Sequence, residues 1–243
     1  MLFNTLATAL VASGAALLAS ASPIESRQTL ATVYTSCTVA NRVALTFDDG
    51  PYNYLNDIVN TLDANGAKGT FFFNGNNWRC IYDSDIRPRV KYAYDHGHQV
   101  ASHTWAHKDL TTLNWDQKAL SRITGAYPAW VRPPYGNYNN LVRQAAATRG
   151  LSIANWDFDS GDSSGATPQQ SKNSYDARIA QHPSTILTLN HETQSGTAYD
   201  VLPYAIQKLK AAGYQLVTVA ECLGRAPYQS VAAPGTPDST WHC

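Results

Sequence analysis

The chain has 243 residues, and 18 Lys plus Arg balance 18 Asp plus Glu for a formal net charge of zero. With no basic block and no acidic tail, the charge excludes the electrostatic signature of a nucleic-acid or anionic-membrane binder and favours a neutral or weakly charged partner. The length accommodates one large α/β domain, and no linker or internal repeat divides it. Residues 1–21 contain no Lys, Arg, Asp or Glu and end in Ala19-Ser20-Ala21. They read as a secretory signal peptide, because Ser13-Gly14 interrupts an apolar run already too short to span a bilayer. Residues 22–36 are expected to be a leader, 37–224 the single main domain, and 225–243 a C-terminal surface extension. No other segment has spanning length, so an exported monomer, secreted or in the cell wall and free of the membrane, is expected.

Export makes the four cysteines, Cys37, Cys80, Cys222 and Cys243, candidates for two disulfides. They allow three connectivities, and none forms a CxxC pair. Cys37 precedes the first core strand and Cys222 follows the last, so Cys37–Cys222 would tie the ends of the domain, leaving Cys80–Cys243.

In chain order, Val43 to Asp48 is an apolar β-branched and aromatic run that stops on Asp48-Asp49-Gly50-Pro51, a buried strand with a turn behind it. Leu55, Ile58, Val59 and Leu62 recur at helical spacing before Asn65-Gly66, a helix with its C-terminal stop. Further strands are expected at 69–75, 98–103, 130–135, 151–156, 184–191 and 214–219. Helices are expected at 86–96, 114–122, 139–149, 171–181 and 200–212. Regular strand–helix alternation argues for parallel βαβ units, and about seven of them suggest a distorted, incomplete (β/α)7-type barrel.

The polar clusters fall just past the strands, where active sites gather in parallel α/β folds. His103 and His107 stand four residues apart, which brings two imidazoles to one ion; adding Asp49 makes two histidines and a carboxylate, an open catalytic metal site. Zn2+ suits these donors best, with Co2+, nickel or iron as alternatives. Neighbouring side chains on extended backbone point apart, so Asp48 is free to act as a base while Asp49 binds metal. His191, at the end of a later strand, is a candidate acid. Arg132 is placed to pair with Asp48, and the Tyr135 N–H, freed by the proline break, to face an oxyanion.

Together these residues resemble the polysaccharide deacetylases of carbohydrate esterase family four, over roughly residues 37–224. The motifs stand as Thr46-Phe47-Asp48-Asp49-Gly50, Ser102-His103-Thr104-Trp105-Ala106-His107, Arg132-Pro133-Pro134-Tyr135 and Leu189-Asn190-His191. The resemblance implies Asp48 as base, Asp49, His103 and His107 as metal ligands, Tyr135 in the oxyanion hole, His191 as acid and Asp162 orienting it. It also implies a glycan groove, with Trp130, Trp156, Leu189 and Pro134 as substrate contacts. Two departures stand out. Ser163 follows Asp162 where the family has Trp, and the interval from His107 to Arg132 is short by roughly ten residues, about three helical turns, which suggests a truncated outer helix or an exon missing from the translated gene. The activity implied is removal of N-acetyl groups from chitin or chito-oligosaccharides. Alternatives are an acetylxylan esterase, a peptidoglycan deacetylase, or a glycan-binding protein without activity.

Overall fold

The computed structural model describes residues 29–112 and 118–243. The expected signal peptide, the first part of the leader and residues 114–117 of the expected helix 114–122 lie outside the described residues. The chain runs β1 (Val33–Tyr34), β2 (Arg42–Ala44), β3 (Thr46–Asp48), α1 (Leu55–Ala64), β4 (Thr70–Phe73), α2 (Arg87–Asp95) and β5 (Gln99–Ser102). It continues through α3 (Lys118–Thr124), β6 (Ala126–Pro128), β7 (Trp130–Val131), α4 (Asn140–Ala147), β8 (Ser152–Ala154), β9 (Phe158–Asp159) and α5 (Pro168–Ala180). The last elements are β10 (Thr185–His191), α6 (Leu202–Ala211), β11 (Gln215–Val217), α7 (Val219–Leu223) and β12 (Tyr228–Val231).

The main sheet has the order β1-β8-β7-β5-β4-β3-β10-β2-β11, with β9 also paired to β10, and all these pairings are parallel. Since β9 follows β8 directly in the chain, the strands curl round from β3 to β10 and back. The ring is a distorted barrel, irregular where β8 hands over to β9 instead of pairing with β10.

Alternation along the strands sorts side chains into two layers. Val43, Leu45, Phe47, Phe71, Phe73 and Val100 face outward and pack with Leu55, Ile58, Val59 and Leu62 of α1 and with Leu202, Ile206 and Leu209 of α6. Ala44, Phe72, Ala101, Trp130, Ala154 and Leu187 face inward and fill the barrel. The lower end is closed by α7, whose Thr218 and Glu221 form a capping box. Cys222 within α7 is bridged to Cys37, and Cys80–Cys243 is the second disulfide, both as expected from the sequence.

Some boundaries differ from the sequence-based ones. Within the expected leader, Val33 and Tyr34 add a parallel edge strand to β8. In the C-terminal extension β12 pairs antiparallel with β6, and the Tyr228 hydroxyl accepts from the Val100 N–H at 3.2 Å. Helix α5 begins at Pro168 because Thr167 and Gln170 make a capping box ahead of it. Among the described residues no helix is long and apolar enough to cross a membrane.

Candidate active site

The inward-facing series of each strand continues upward into the site. Ala44, Thr46 and Asp48 share one face of β2 and β3; Phe72 leads to Asn74, Ala101 to His103, Trp130 to Arg132, Ala154 to Trp156, and Leu187 to Leu189 and His191. The side chains below are mostly apolar, and the upper rim carries Asp48, Asn74, His103, Arg132 and His191 beside Trp156 and Leu189. His191 stands directly opposite Asp48 in the β10–β3 register. Asp49 leaves this alternation through a left-handed backbone, φ +71°, and Thr104 (+75°), His107 (+49°) and Tyr135 (+60°) do the same around the rim. Such conformations cost energy in residues other than glycine, and they cluster where the surroundings enforce a geometry.

Asp49, His103 and His107 offer ligand atoms that all lie within 4.8 Å of one another. Asp49 Oδ1 is 3.2 Å from His107 Nε2 and 3.7 Å from His103 Nε2. That oxygen is buried and has no hydrogen-bond partner, an arrangement that costs free energy unless a cation completes it. The His103 Nδ1–H donates to the Arg132 carbonyl at 2.8 Å, which leaves the Nε2 lone pair turned toward Asp49. Burial, working against the Asp49 charge, pushes the His103 imidazole down to about 3, so it stays neutral and able to ligate. Deacetylases of this family use a divalent metal, and these three residues form a site that fits one.

Asp48 is nearly fully buried, and Arg132 NH1 donates to its Oδ1 at 2.8 Å. Arg132, itself inaccessible to solvent, also donates to Thr46 Oγ1 at 2.7 Å, to the Ala154 carbonyl at 2.9 Å and to the Asn155 carbonyl at 2.8 Å. Its guanidinium lies 4.2 Å from the Phe72 ring centroid and 5.5 Å from that of Trp156. Burial pushes the Asp48 carboxyl above the usual carboxylate range while Arg132 and His191 pull it back. A carboxylate raised this way is more basic than one on the surface.

His191 is held from the other side. Asp162 Oδ1 is 2.8 Å from His191 Nδ1, and Asp162 Oδ2 accepts from the His191 N–H at 2.7 Å and from the Thr197 hydroxyl at 2.6 Å. Burial alone would lower the imidazole pKa. The hydrogen bond and charge of Asp162, with Asp48 and Asp49 nearby, overcome it and raise the value to about 9. His191 is therefore an imidazolium at neutral pH, able to give up a proton.

Asp48, Asp49, His103, His107 and His191 line one cleft of about 440 Å3, shared with Tyr135, Trp156, Leu189 and Ser163. The Tyr135 N–H meets no acceptor among the described residues, and its ring centroid is 4.9 Å from that of His107. Two expected substrate contacts lie elsewhere. Trp130 is 2 % exposed, its indole N–H donating to the Ala226 carbonyl; two residues before Arg132 on the inward face, it fills the barrel beneath the site. Pro134 is buried and is not part of the cleft wall. Two residues that sequence reasoning did not single out also matter. Asn74, on the inward parity above Phe72, bridges the rim loops, and buried Glu192 accepts from the Tyr52 N–H behind the Asp49 turn.

Residues 35–154 match the polysaccharide deacetylase family. Among curated relatives, the chain is 37 % identical over 223 residues to a chitin deacetylase of Pestalotiopsis sp, covering 86 % of this chain and 73 % of that one. It is 32 % identical over 244 residues to a chitin deacetylase of Colletotrichum lindemuthianum, covering 93 % and 98 %. The solved structure of a chitin deacetylase from Colletotrichum lindemuthianum superposes with a TM-score of 0.78 at 30 % identity, covering 84 % of this chain and 96 % of that one. With the barrel, the metal-competent trio and these relatives in agreement, the chain belongs to the polysaccharide deacetylase family.

Proposed function

We propose that this protein is a metal-dependent hydrolase that removes N-acetyl groups from β-1,4-linked N-acetylglucosamine polymers or oligomers, releasing acetate. The observation that carries the reading is one cleft holding an orphaned, metal-competent Asp49-His103-His107 trio between a buried carboxylate and a buried imidazolium. The names of the relatives select the substrate class. The divalent ion, Zn2+ by preference for two imidazoles and a carboxylate with Co2+ able to replace it, supplies Lewis acidity toward the acetyl carbonyl and the attacking water.

The protein's own groups do the proton work. Asp48, held ionised and oriented by Arg132, takes the proton of the attacking water. The Tyr135 N–H donates to the oxygen that gains charge as the carbonyl carbon becomes tetrahedral. His191, held as the imidazolium by Asp162, delivers its proton to the departing amine nitrogen. An amine is a poor leaving group unprotonated, so this transfer matters more for an amide than for an ester. Trp156 and Leu189 supply apolar wall on the acetyl side, where Ser163 replaces the family's tryptophan. Two disulfides fit an oxidising compartment, and we place the protein outside the cell or in its wall.

Acetate release from chito-oligosaccharides and from acetylxylan, before and after chelation, tests this. The expected result is release from the chito-oligosaccharides, lost on chelation and restored by Zn2+ or Co2+. Turnover confined to acetylxylan would transfer the machinery to ester substrates, and release insensitive to chelation would overturn the metal reading.

A further inference from the structure

We infer that Asn74 is a positioning residue that clamps together the two loops carrying the metal ligands. The inference rests on the metal reading above and concerns the part of the chain that makes the trio converge. Asp49 comes from the turn after β3, and His103 and His107 from the loop after β5; β4 lies between them in the sheet. Asn74 is the first residue past β4 and is 1 % exposed.

Its contacts go to both sides. The Asn74 N–H donates to the Gly50 carbonyl at 2.7 Å, fixing the turn one residue beyond Asp49. The side-chain amide donates to the His103 carbonyl at 2.5 Å and to the Thr104 carbonyl at 3.2 Å. The two carbonyls can only accept, which fixes which way round the amide lies, and its Oδ1 accepts from Asn77 at 3.1 Å. Among the described residues no other donor reaches the His103 carbonyl. The backbone continues the same work: the Gly75 and Asn76 N–H groups donate to the Trp105 carbonyl at 2.9 and 2.7 Å. A Cβ at Gly75 would stand 1.9 Å from the Trp105 ring, so a larger residue there would displace that ring.

The loop being held is one that does not hold itself. Asp49, Thr104 and His107 all have positive φ, and a strained backbone persists only where its surroundings over-determine it. Among the described residues, Asn74 is the one side chain that hydrogen-bonds to the peptide of a metal ligand while its own backbone hydrogen-bonds to the turn carrying another. Removing the two N–H donors leaves the His103 carbonyl buried and unpaired and frees the loop to relax away from Asp49. Outer groups that orient ligands typically contribute about 10–100-fold to metal affinity.

The test is Zn2+ affinity by chelator competition on the full chain, with the visible spectrum of the Co2+-loaded protein as a second readout of ligand geometry. Melting of the metal-free protein is followed separately. Asn74→Ala removes the amide, and Asn74→Asp keeps its size and acceptor while removing both donors. Thr218→Ala is the control, since it breaks a buried cap in α7 remote from the ligands. The expected result is about 10–100-fold weaker Zn2+ binding and an altered Co2+ spectrum in both Asn74 variants, with wild-type affinity in Thr218→Ala despite its lower metal-free melting temperature. Asn74 variants with wild-type affinity and spectrum would overturn the clamp. So would Thr218→Ala losing affinity in step with its stability. A wild-type chain that takes up no Zn2+ would overturn the metal reading and the clamp with it; wild-type uptake with unchanged Asn74 variants would overturn the clamp alone.

Discussion

Replacing Asp162 with Asn removes one negative charge while keeping an oxygen that can accept from the His191 N–H. In the native protein, burial lowers the His191 pKa, but Asp162, 2.8 Å from Nδ1, outweighs it and with Asp48 and Asp49 sets the value near 9. Without the Asp162 charge, burial dominates and the value falls to the ordinary 6.5 or below. The difference corresponds to about 3 kcal/mol of imidazolium stabilisation. At pH 8 the protonated fraction drops from about nine-tenths to about three-hundredths, so turnover should fall about 30-fold through loss of the acid form alone. The assay is kcat against pH on a chito-oligosaccharide. The wild-type profile should turn down near pH 9, and the Asp162→Asn profile near pH 6.5 or lower, with much of the activity recovered at pH 5.5. A variant whose basic limb stays put, or whose loss is equal at pH 5.5 and pH 8, would refute the assignment of Asp162 as the group that keeps His191 charged.

Two further outcomes follow from buried charge. Arg132→Met strands the Asp48 carboxylate in the barrel and orphans the carbonyls of Ala154 and Asn155, which should cost about 3–5 kcal/mol and lower the melting temperature by on the order of 10 °C; an unchanged melt would show that the pair is not buried as described. His98, 1 % exposed, accepts from the Gly69 N–H at 3.1 Å, and burial lowers its pKa to about 4. Between that value and an unfolded value of about 6.5 the unfolded chain binds the proton and the folded one does not. Stability from this group is therefore complete above pH 6.5 and is lost as pH falls toward 4, by about 3 kcal/mol. Urea unfolding at pH 7 and pH 4.5 should show a smaller pH-dependent loss for His98→Asn than for wild type, and equal losses would contradict this.

Much of the molecule could be read from local pattern because the pattern has a local cause. The spacing of Leu55, Ile58, Val59 and Leu62 is that of a buried helix face, and all four are fully buried. The carboxylates and histidines at strand ends were legible because a parallel barrel gathers such ends on one rim. The misplacement of Trp130 came from ignoring alternation: it shares the parity of Arg132, so it points into the barrel just as Arg132 does. Other features have no local cause. Tyr228 to Val231, set among prolines, becomes a strand only because β6 offers an edge about 100 residues away in sequence. Asn74 and Glu192 gain their importance from backbone groups they meet across the fold, and backbone partners leave no mark in residue type.

The central claim is that adjacent carboxylates have divided roles, Asp49 for the metal and Asp48 for the proton. Metal content and acetate release, measured together on Asp48→Asn and Asp49→Asn, address it most directly. Asp48→Asn should retain its metal and lose turnover, and Asp49→Asn should lose both. Near wild-type acetate release from Asp48→Asn, or metal retained by Asp49→Asn and lost from Asp48→Asn, would contradict the division.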